Sequence, residues 1–356
     1  MVHYRLLSLA LSLQLLLLVC LALSSVSSFA TDEFVPASFA FVQASNTTTE
    51  RDVSKIVESI KTFEGAGFPV ERPFPTRAMS QFDPFLMIDH FGPINYAPGE
   101  AVGAPWHPHR GFETVSMMLQ GEFQHKDSTG NKGLLRAGDV QWMTAGSGII
   151  HDESPSPTFQ RTGGVLEGFQ IWVNLPAKDK WIDPAYQDVP KEKIPTITQD
   201  SLTVRVIAGE AYGTKAIVNT HVPIQFLDVH LLAGGEFRHE IPSDMNAMVF
   251  LYRGEGKFGK SQKPAVSGNA VLLDKQGGTT LVATATADLK FLVLAGVPLN
   301  EPIARHGPFV MNTQAEIAEA FSDYGKDRLM RVKPKFEIAT NRADDFDPNS
   351  QDSSIV

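Results

Sequence analysis

Cysteine is all but missing from this chain of 356 residues. The single one, Cys20, lies in an N-terminal stretch that reads as a removable leader, so the mature chain has none. Disulfide staples, thiolate zinc sites and a cysteine nucleophile are thereby excluded. Positive charge is also in short supply. The 31 Lys and Arg face 40 Asp and Glu, a formal charge of −9, and losing Arg5 with the leader takes it one unit lower. That balance argues against a nucleic-acid surface and predicts no direct nucleic-acid binding. What is present is 43% hydrophobic residues with 28 Gly and 23 Pro, a composition of globular chains rich in turns and β structure. The length suits two domains with their own cores. The ten histidines are the number worth following.

Residues 1–30 open with Arg5 and no acid, run apolar from Leu6 to Leu23 and close on Ser28-Phe29-Ala30, the layout of a signal peptide. A secretory route is expected, ending outside the cell or in a plastid, with a nuclear or cytoplasmic place if the leader does not function. An uncleaved anchor is the competing reading of the apolar run; a cleaved leader leaves no membrane span. Residues 31–52 read as a disordered linker, with a glycosylation sequon at Asn46. Residues 334–356, with Asp344, Asp345, Asp347 and Asp352, read as a disordered acidic tail. Val53 to Ile60 fits either a helix or a strand.

Between these ends, Gly121, Gly133, Gly138, Gly146 and Gly148 separate short runs such as Thr114 to Leu119 and Val140 to Met143, the punctuation of a sandwich or barrel. A charged, Pro-containing stretch from Lys178 to Lys193 reads as a connection, after which strand signals resume from Thr203 to Ala295. Thr313 and Glu316 make a capping box, and Ile317, Phe321 and Tyr324 then share one helical face, expected to pack on a sheet, before Gly325.

The chemistry gathers in Trp106-His107-Pro108-His109-Arg110-Gly111-Phe112-Glu113. Residues two apart in a strand share a face, so His107 and His109 point one way, with Glu113 if the pleat persists, and Arg110 points away. In Gly146-Ser147-Gly148-Ile149-Ile150-His151-Asp152-Glu153 the same period pairs His151 with Glu153. Folded side by side, the two segments converge three imidazoles and one carboxylate. Such a donor set suits a first-row metal (iron, nickel, manganese or copper) and leaves positions for water or substrate. His221, His230 and His239 stand nine residues apart without an HxH or HxE pair, so the second half is not expected to repeat the site.

The segments His107 to Val115, Gly138 to Glu153 and Gly307 to Thr313, with Asp83 to Pro93 and Leu299 to Pro302, resemble the pirin family of two-cupin proteins. The likeness spans about residues 50–333. It implies an all-β fold of two cupin barrels in tandem (double-stranded β-helix, or jelly-roll) with a C-terminal helix: an N-terminal cupin domain over 53–180 with the metal site and a C-terminal one over 181–333 without it. It also implies one Fe(2+) held by His107, His109, His151 and Glu153. The general cupin pattern would use Glu113 as the acidic ligand instead; following the family pattern leaves Glu113 a supporting carboxylate. Pirin-like proteins are similar to quercetin dioxygenases, which implies cleavage of quercetin or a related flavonol by O2 with Glu153 as the catalytic base. The alternative implied by the likeness is a redox-sensing, iron-binding regulator with a protein partner. A metal-bearing cupin with isomerase or storage function is a third reading.

Overall fold

The computed structural model describes residues 49–338. The leader, the Asn46 sequon and the tail aspartates lie outside the described residues. Among the described residues, no helix is long and apolar enough to cross a membrane.

Each half is built from one large and one small sheet, antiparallel except for one edge pair of the large N-terminal sheet, the two-sheet barrel expected of a cupin. In the N-terminal half the small sheet orders its strands Ala104–His109, Ile149–Pro155, Glu122–Asp127 and Lys132–Arg136. Its large sheet runs from Ile60–Glu64 through Phe68–Phe74, Phe85–Tyr96, Gly164–Asn174, Phe112–Gln120, Val140–Thr144 and Ala185–Val189 to Lys335–Ile338. In the C-terminal half, seven strands from Val53–Glu58 to Thr196–Gln199 face a four-stranded sheet.

Side-chain alternation explains why the halves differ. On the C-terminal strand Leu289–Gly296, Phe291 and Val293 fill their own barrel with Phe237, Leu251 and Phe258, while Leu292 and Leu294 face the other half. A strand buried on both faces reads as an unbroken apolar run, as this one does. The large N-terminal sheet meets that outer face with Val115, Met117, Phe169 and Ile171. A sealed apolar seam of this kind holds the two halves as one body, since each large side chain buried there contributes about 1.5–3 kcal/mol. The opposite face of the same N-terminal strands carries Ser116, Met118, Gln170 and Trp172, which line a cavity rather than fill a core.

Four expectations about boundaries change. Residues 49–52 are not a free linker: Glu50 bridges Thr280, and the buried Arg51 guanidinium donates to the carbonyls of Met245, Ile241, Pro242 and Gly278. Val53–Glu58 is a strand, and it pairs with Asn269–Leu273 of the C-terminal half, not with the domain it was expected to open. Ala185–Val189, inside the expected connection, pairs with Val140–Thr144 as part of the N-terminal sheet. Lys335–Ile338, expected to be tail, lies parallel to Ala185–Val189. Each of these three strands is short and mixes charged with apolar residues, and pairing with distant backbone supplies the order.

The helix Gln314–Tyr324 begins at the expected capping box, with Thr313 Oγ1 accepting from Glu316 N and Glu316 Oε2 accepting from Thr313 N. Ile317 and Ala320 are its buried apolar positions and Asp323 is buried with them, whereas Phe321 and Tyr324 stay 40% and 39% exposed at the edge of Phe309, so the apolar stripe is narrower than expected.

Candidate metal centre

His107, His109 and His151 are brought together by adjacent strands. His151 lies directly opposite His107 in the pairing of Ile149–Pro155 with Ala104–His109. A ring nitrogen of each lies within 4.8 Å of the others. Ring centroids are 4.7 Å apart for His107 and His109, 4.3 Å for His107 and His151, and 4.9 Å for His109 and His151. The C-terminal half holds no such group among the described residues.

The hydrogen bonds of these rings test whether they fit a cation. His107 Nδ1 lies 2.9 Å from the Pro105 carbonyl and His109 Nδ1 3.2 Å from the Pro308 carbonyl. A carbonyl only accepts, so both Nδ1 atoms carry the hydrogen and both Nε2 atoms keep a lone pair. His151 Nδ1 faces His125 Nδ1 at 3.3 Å, and its Nε2 is buried without a partner. Burial holds His109 and His151 well below the usual imidazole range, with the neighbouring His107 adding to the effect. Neutral rings, Nδ1 engaged and Nε2 open, are the arrangement of metal-ligating histidines. The residues present fit a metal.

Glu153 lines the same cavity. Its Oε1 is 2.8 Å from Ser116 Oγ, its Oε2 accepts from Gln170 Nε2 at 3.1 Å, and Ser116 Oγ is 2.6 Å from Gln170 Oε1. Ser116 has one hydrogen for two acceptors, so the ring of three side chains closes fully when Glu153 itself carries a proton. Burial, the largest influence, raises its proton affinity, and the neighbouring His107 and the two hydrogen bonds oppose that.

Glu113 goes elsewhere. Gly111, at φ +89°, sits where a Cβ would lie 2.0 Å from the Val310 carbonyl, and there the chain turns from the small sheet into the large one. The pleat does not persist through that turn. Glu113 therefore shares a face with Val115 and Met117, toward the other half, where Thr144 Oγ1 donates to it at 2.8 Å and His221 lies 3.9 Å away. Arg110 points away from the cluster as expected, to the Ser147 carbonyl and Asp323. His239 bonds Gln225 in the other barrel.

The cavity has a volume of about 530 Å³. Its walls are Phe68, Phe91, Met118, Phe123, Leu135 and Trp172. Glu64 and Asp89 line it too, both bonded by Arg72, and burial pushes Asp89 up to about 6 against that bond. Arg305 enters from the C-terminal segment, its guanidinium 4.7 Å from the Trp172 ring and its Nη1 donating to the Leu86 carbonyl at 3.3 Å, with Glu64 and Asp89 near but no direct ion pair among the described residues. Trp172 in turn stands 5.3 Å from the His109 ring, so the cation lies one indole away from the cluster. Sequence reasoning missed Ser116, Gln170, Arg305, Tyr186 and the role of His125. None carries a local motif; alternation along Phe112–Gln120 and Gly164–Asn174 was the one signal for the first two.

Residues 67–173 match the family described as Pirin, and residues 226–330 match its C-terminal cupin domain. The chain belongs to the pirin family. It is 42% identical over 273 residues to a pirin-like protein of Solanum lycopersicum, covering 76% of this chain and 90% of that one. It is 39% identical over 293 residues to a Pseudomonas aeruginosa protein provisionally named a quercetin 2,3-dioxygenase, covering 80% of this chain and 100% of the other. The crystal structure of a quercetin 2,3-dioxygenase from Acinetobacter baumannii is similar with a TM-score of 0.75 at 38% identity, covering 78% of this chain and 98% of that one. The fold is thus mostly β, two cupin domains in tandem, and the pirin signature segments are the ones that build the histidine cluster.

Proposed function

We propose that this pirin-family protein is an iron-dependent dioxygenase acting on quercetin or a related enol, with the metal held by His107, His109, His151 and Glu153. The observation that carries the reading is the convergence of three imidazoles, with the Nε2 of His151 buried and unpartnered, on a largely apolar cavity of about 530 Å³ that Glu153 also lines, although Glu153 lies outside the group of three within 4.8 Å. The names given to its relatives support the same reaction class.

A bound iron would supply Lewis acidity toward an enolic oxygen and the chemistry of O2. The chain's own residues do the rest. The aromatic walls hold a flat substrate and exclude water, which strengthens every polar contact inside. Unprotonated and released from holding the metal, Glu153 would take the enolic proton on Oε1, which lies 2.8 Å from Ser116 Oγ, and the protonated carboxyl then completes the hydrogen-bond ring with Ser116 and Gln170. Arg305 steadies the negative charge that deprotonation leaves on the substrate, and its distance from the cluster across Trp172 suits a second oxygen of the same molecule.

The test is carbon monoxide release and loss of flavonol absorbance when quercetin meets the iron-loaded protein in air. Wild type should turn over, and His107→Ala and Glu153→Gln should not. Equal inertness of all three abandons the enzyme reading and leaves the redox regulator. The leader is proposed to route the chain into the secretory pathway; N-terminal sequencing of the mature protein, beginning near Thr31, checks this.

A further inference from the structure

Behind His151, three more buried side chains continue in line. We propose that Asp127, Tyr186 and His125 form a one-way hydrogen-bond chain that sets the tautomer of His151 and presents its Nε2 lone pair to the metal; this rests on reading the three-imidazole cluster as a metal site. The direction is decided at the far end. Asp127 Oδ1 accepts from Thr129 N at 2.8 Å, Thr129 Oγ1 at 2.7 Å and Asn131 N at 3.1 Å, and Oδ2 accepts from Asn131 Nδ2 at 2.8 Å. A carboxylate gripped by four donors has no hydrogen to give.

The Tyr186 hydroxyl, 3.1 Å from Asp127 Oδ2, therefore donates to it. The phenol oxygen then accepts from His125 Nε2 at 2.7 Å. With its hydrogen committed at Nε2, neutral His125 has its lone pair on Nδ1. That lone pair faces His151 Nδ1 at 3.3 Å, so His151 supplies the hydrogen there. Its own lone pair is left on Nε2, the buried atom with no partner in the protein. The other tautomer would set two lone pairs against each other and aim a hydrogen at the metal position.

All four side chains are buried, so no water competes for these contacts. The phenol is held by Phe336, whose ring stacks on it at 5.1 Å and 25°. Tyr186 and Phe336 come from the two strands that pair in parallel at the edge of the large sheet. The chain is thus assembled from three distant parts of the sequence, and Tyr186 and His125 are positioning residues that act through His151.

Ring-nitrogen NMR of the metal-free, full-length protein reads the tautomer, and competition with a chelator reads nickel(II) affinity. In wild type, His151 should show an unprotonated Nε2. Tyr186→Phe keeps the ring stacked on Phe336 and removes the link; His151 should then populate both tautomers, and nickel affinity should fall about tenfold. Asp127→Asn, which can donate to the phenol, should raise the Nε2-protonated fraction, a reversal that a merely structural role would not produce. A protonated His151 Nε2 in wild type, or unchanged tautomer and affinity in Tyr186→Phe with the wild-type protein binding nickel, would overturn the proposal alone. Absence of nickel binding by wild type would overturn the metal reading and this proposal with it.

Discussion

Arg110 and Asp323, 213 residues apart in the chain, meet at 3.0 Å beneath the metal-site strands. The fully buried guanidinium also donates from Nε to the Ser147 carbonyl at 2.6 Å and lies 5.0 Å from the Trp181 ring. One residue thus ties the strand of His107 and His109 to the turn that leads into His151, and both to the C-terminal helix. Asp323→Ala leaves the Arg110 charge buried and brings it against Arg331, whose bond to Asp323 is lost as well. Breaking such a pair costs about 3–5 kcal/mol, to be read from urea unfolding, and nickel affinity should weaken in the same variant.

Arg305 gives a prediction about substrates. A cation that makes no direct ion pair among the described residues, with Glu64 and Asp89 near but engaged by Arg72, should favour ligands that bring negative charge. Arg305→Gln is expected to raise KM about tenfold for a substrate bound as its enolate, with a smaller change in kcat, because loss of a charge-assisted hydrogen bond is worth about 1.5–3 kcal/mol. A matched pair of substrates differing only in acidity checks it. Equal loss on both would assign Arg305 to packing on Trp172 instead.

Glu113 should make stability depend on pH. Burial pushes its carboxyl up to about 7 from an ordinary 4.5, against the hydrogen bond from Thr144. A native state that holds the proton more tightly than the unfolded chain is favoured below the unfolded value, and that advantage is lost as pH rises through the native one. Glu113→Gln, neutral throughout, should match wild type near pH 4 and exceed it by up to about 3 kcal/mol at pH 8. Urea melts at the two pH values decide it.

Arg51 anchors the segment that enters the C-terminal barrel. Its substitution by methionine leaves four carbonyls without their donor, of which those of Met245 and Ile241 are bonded in the buried interior. A loss of at least about 3 kcal/mol is expected in chemical unfolding, since each unsatisfied buried group costs about 1–3 kcal/mol. Retention of full stability would mean that residues 49–52 do not pack there.

Metal should stabilise the fold. Any ion that binds the native site alone raises the unfolding free energy by about 2.7 kcal/mol at a hundred times its dissociation constant. Thermal melts with and without nickel should separate for wild type and coincide for His109→Ala and His151→Ala.

Much of this was legible along the chain. The HxH and HxE pairs marked the three imidazoles because a strand repeats every two residues, and both pairs lie within single strands. The capping box of Thr313 and Glu316 is equally local. Glu113 was not decidable in that way: its parity with His109 is broken by the turn at Gly111, whose close approach to Val310 is a tertiary fact. The strands Val53–Glu58, Ala185–Val189 and Lys335–Ile338 were misplaced or missed for a related reason, since each owes its order to a partner strand far away in sequence.

The sequence by itself determined the class of the fold and the donor types, and it places no cysteine within residues 49–338, because strand alternation, turn residues and side-chain chemistry act over a few residues. Tertiary structure decided which carboxylate shares the cavity, which half stays hollow, and how the ligands are aimed. His109 is oriented by the carbonyl of Pro308, 199 residues away, and His151 by His125 on the neighbouring strand of the small sheet, contacts that exist only once strands and segments distant in sequence lie side by side. Hydrogen bonds reach about 3 Å, so only a folded chain can bring such partners together.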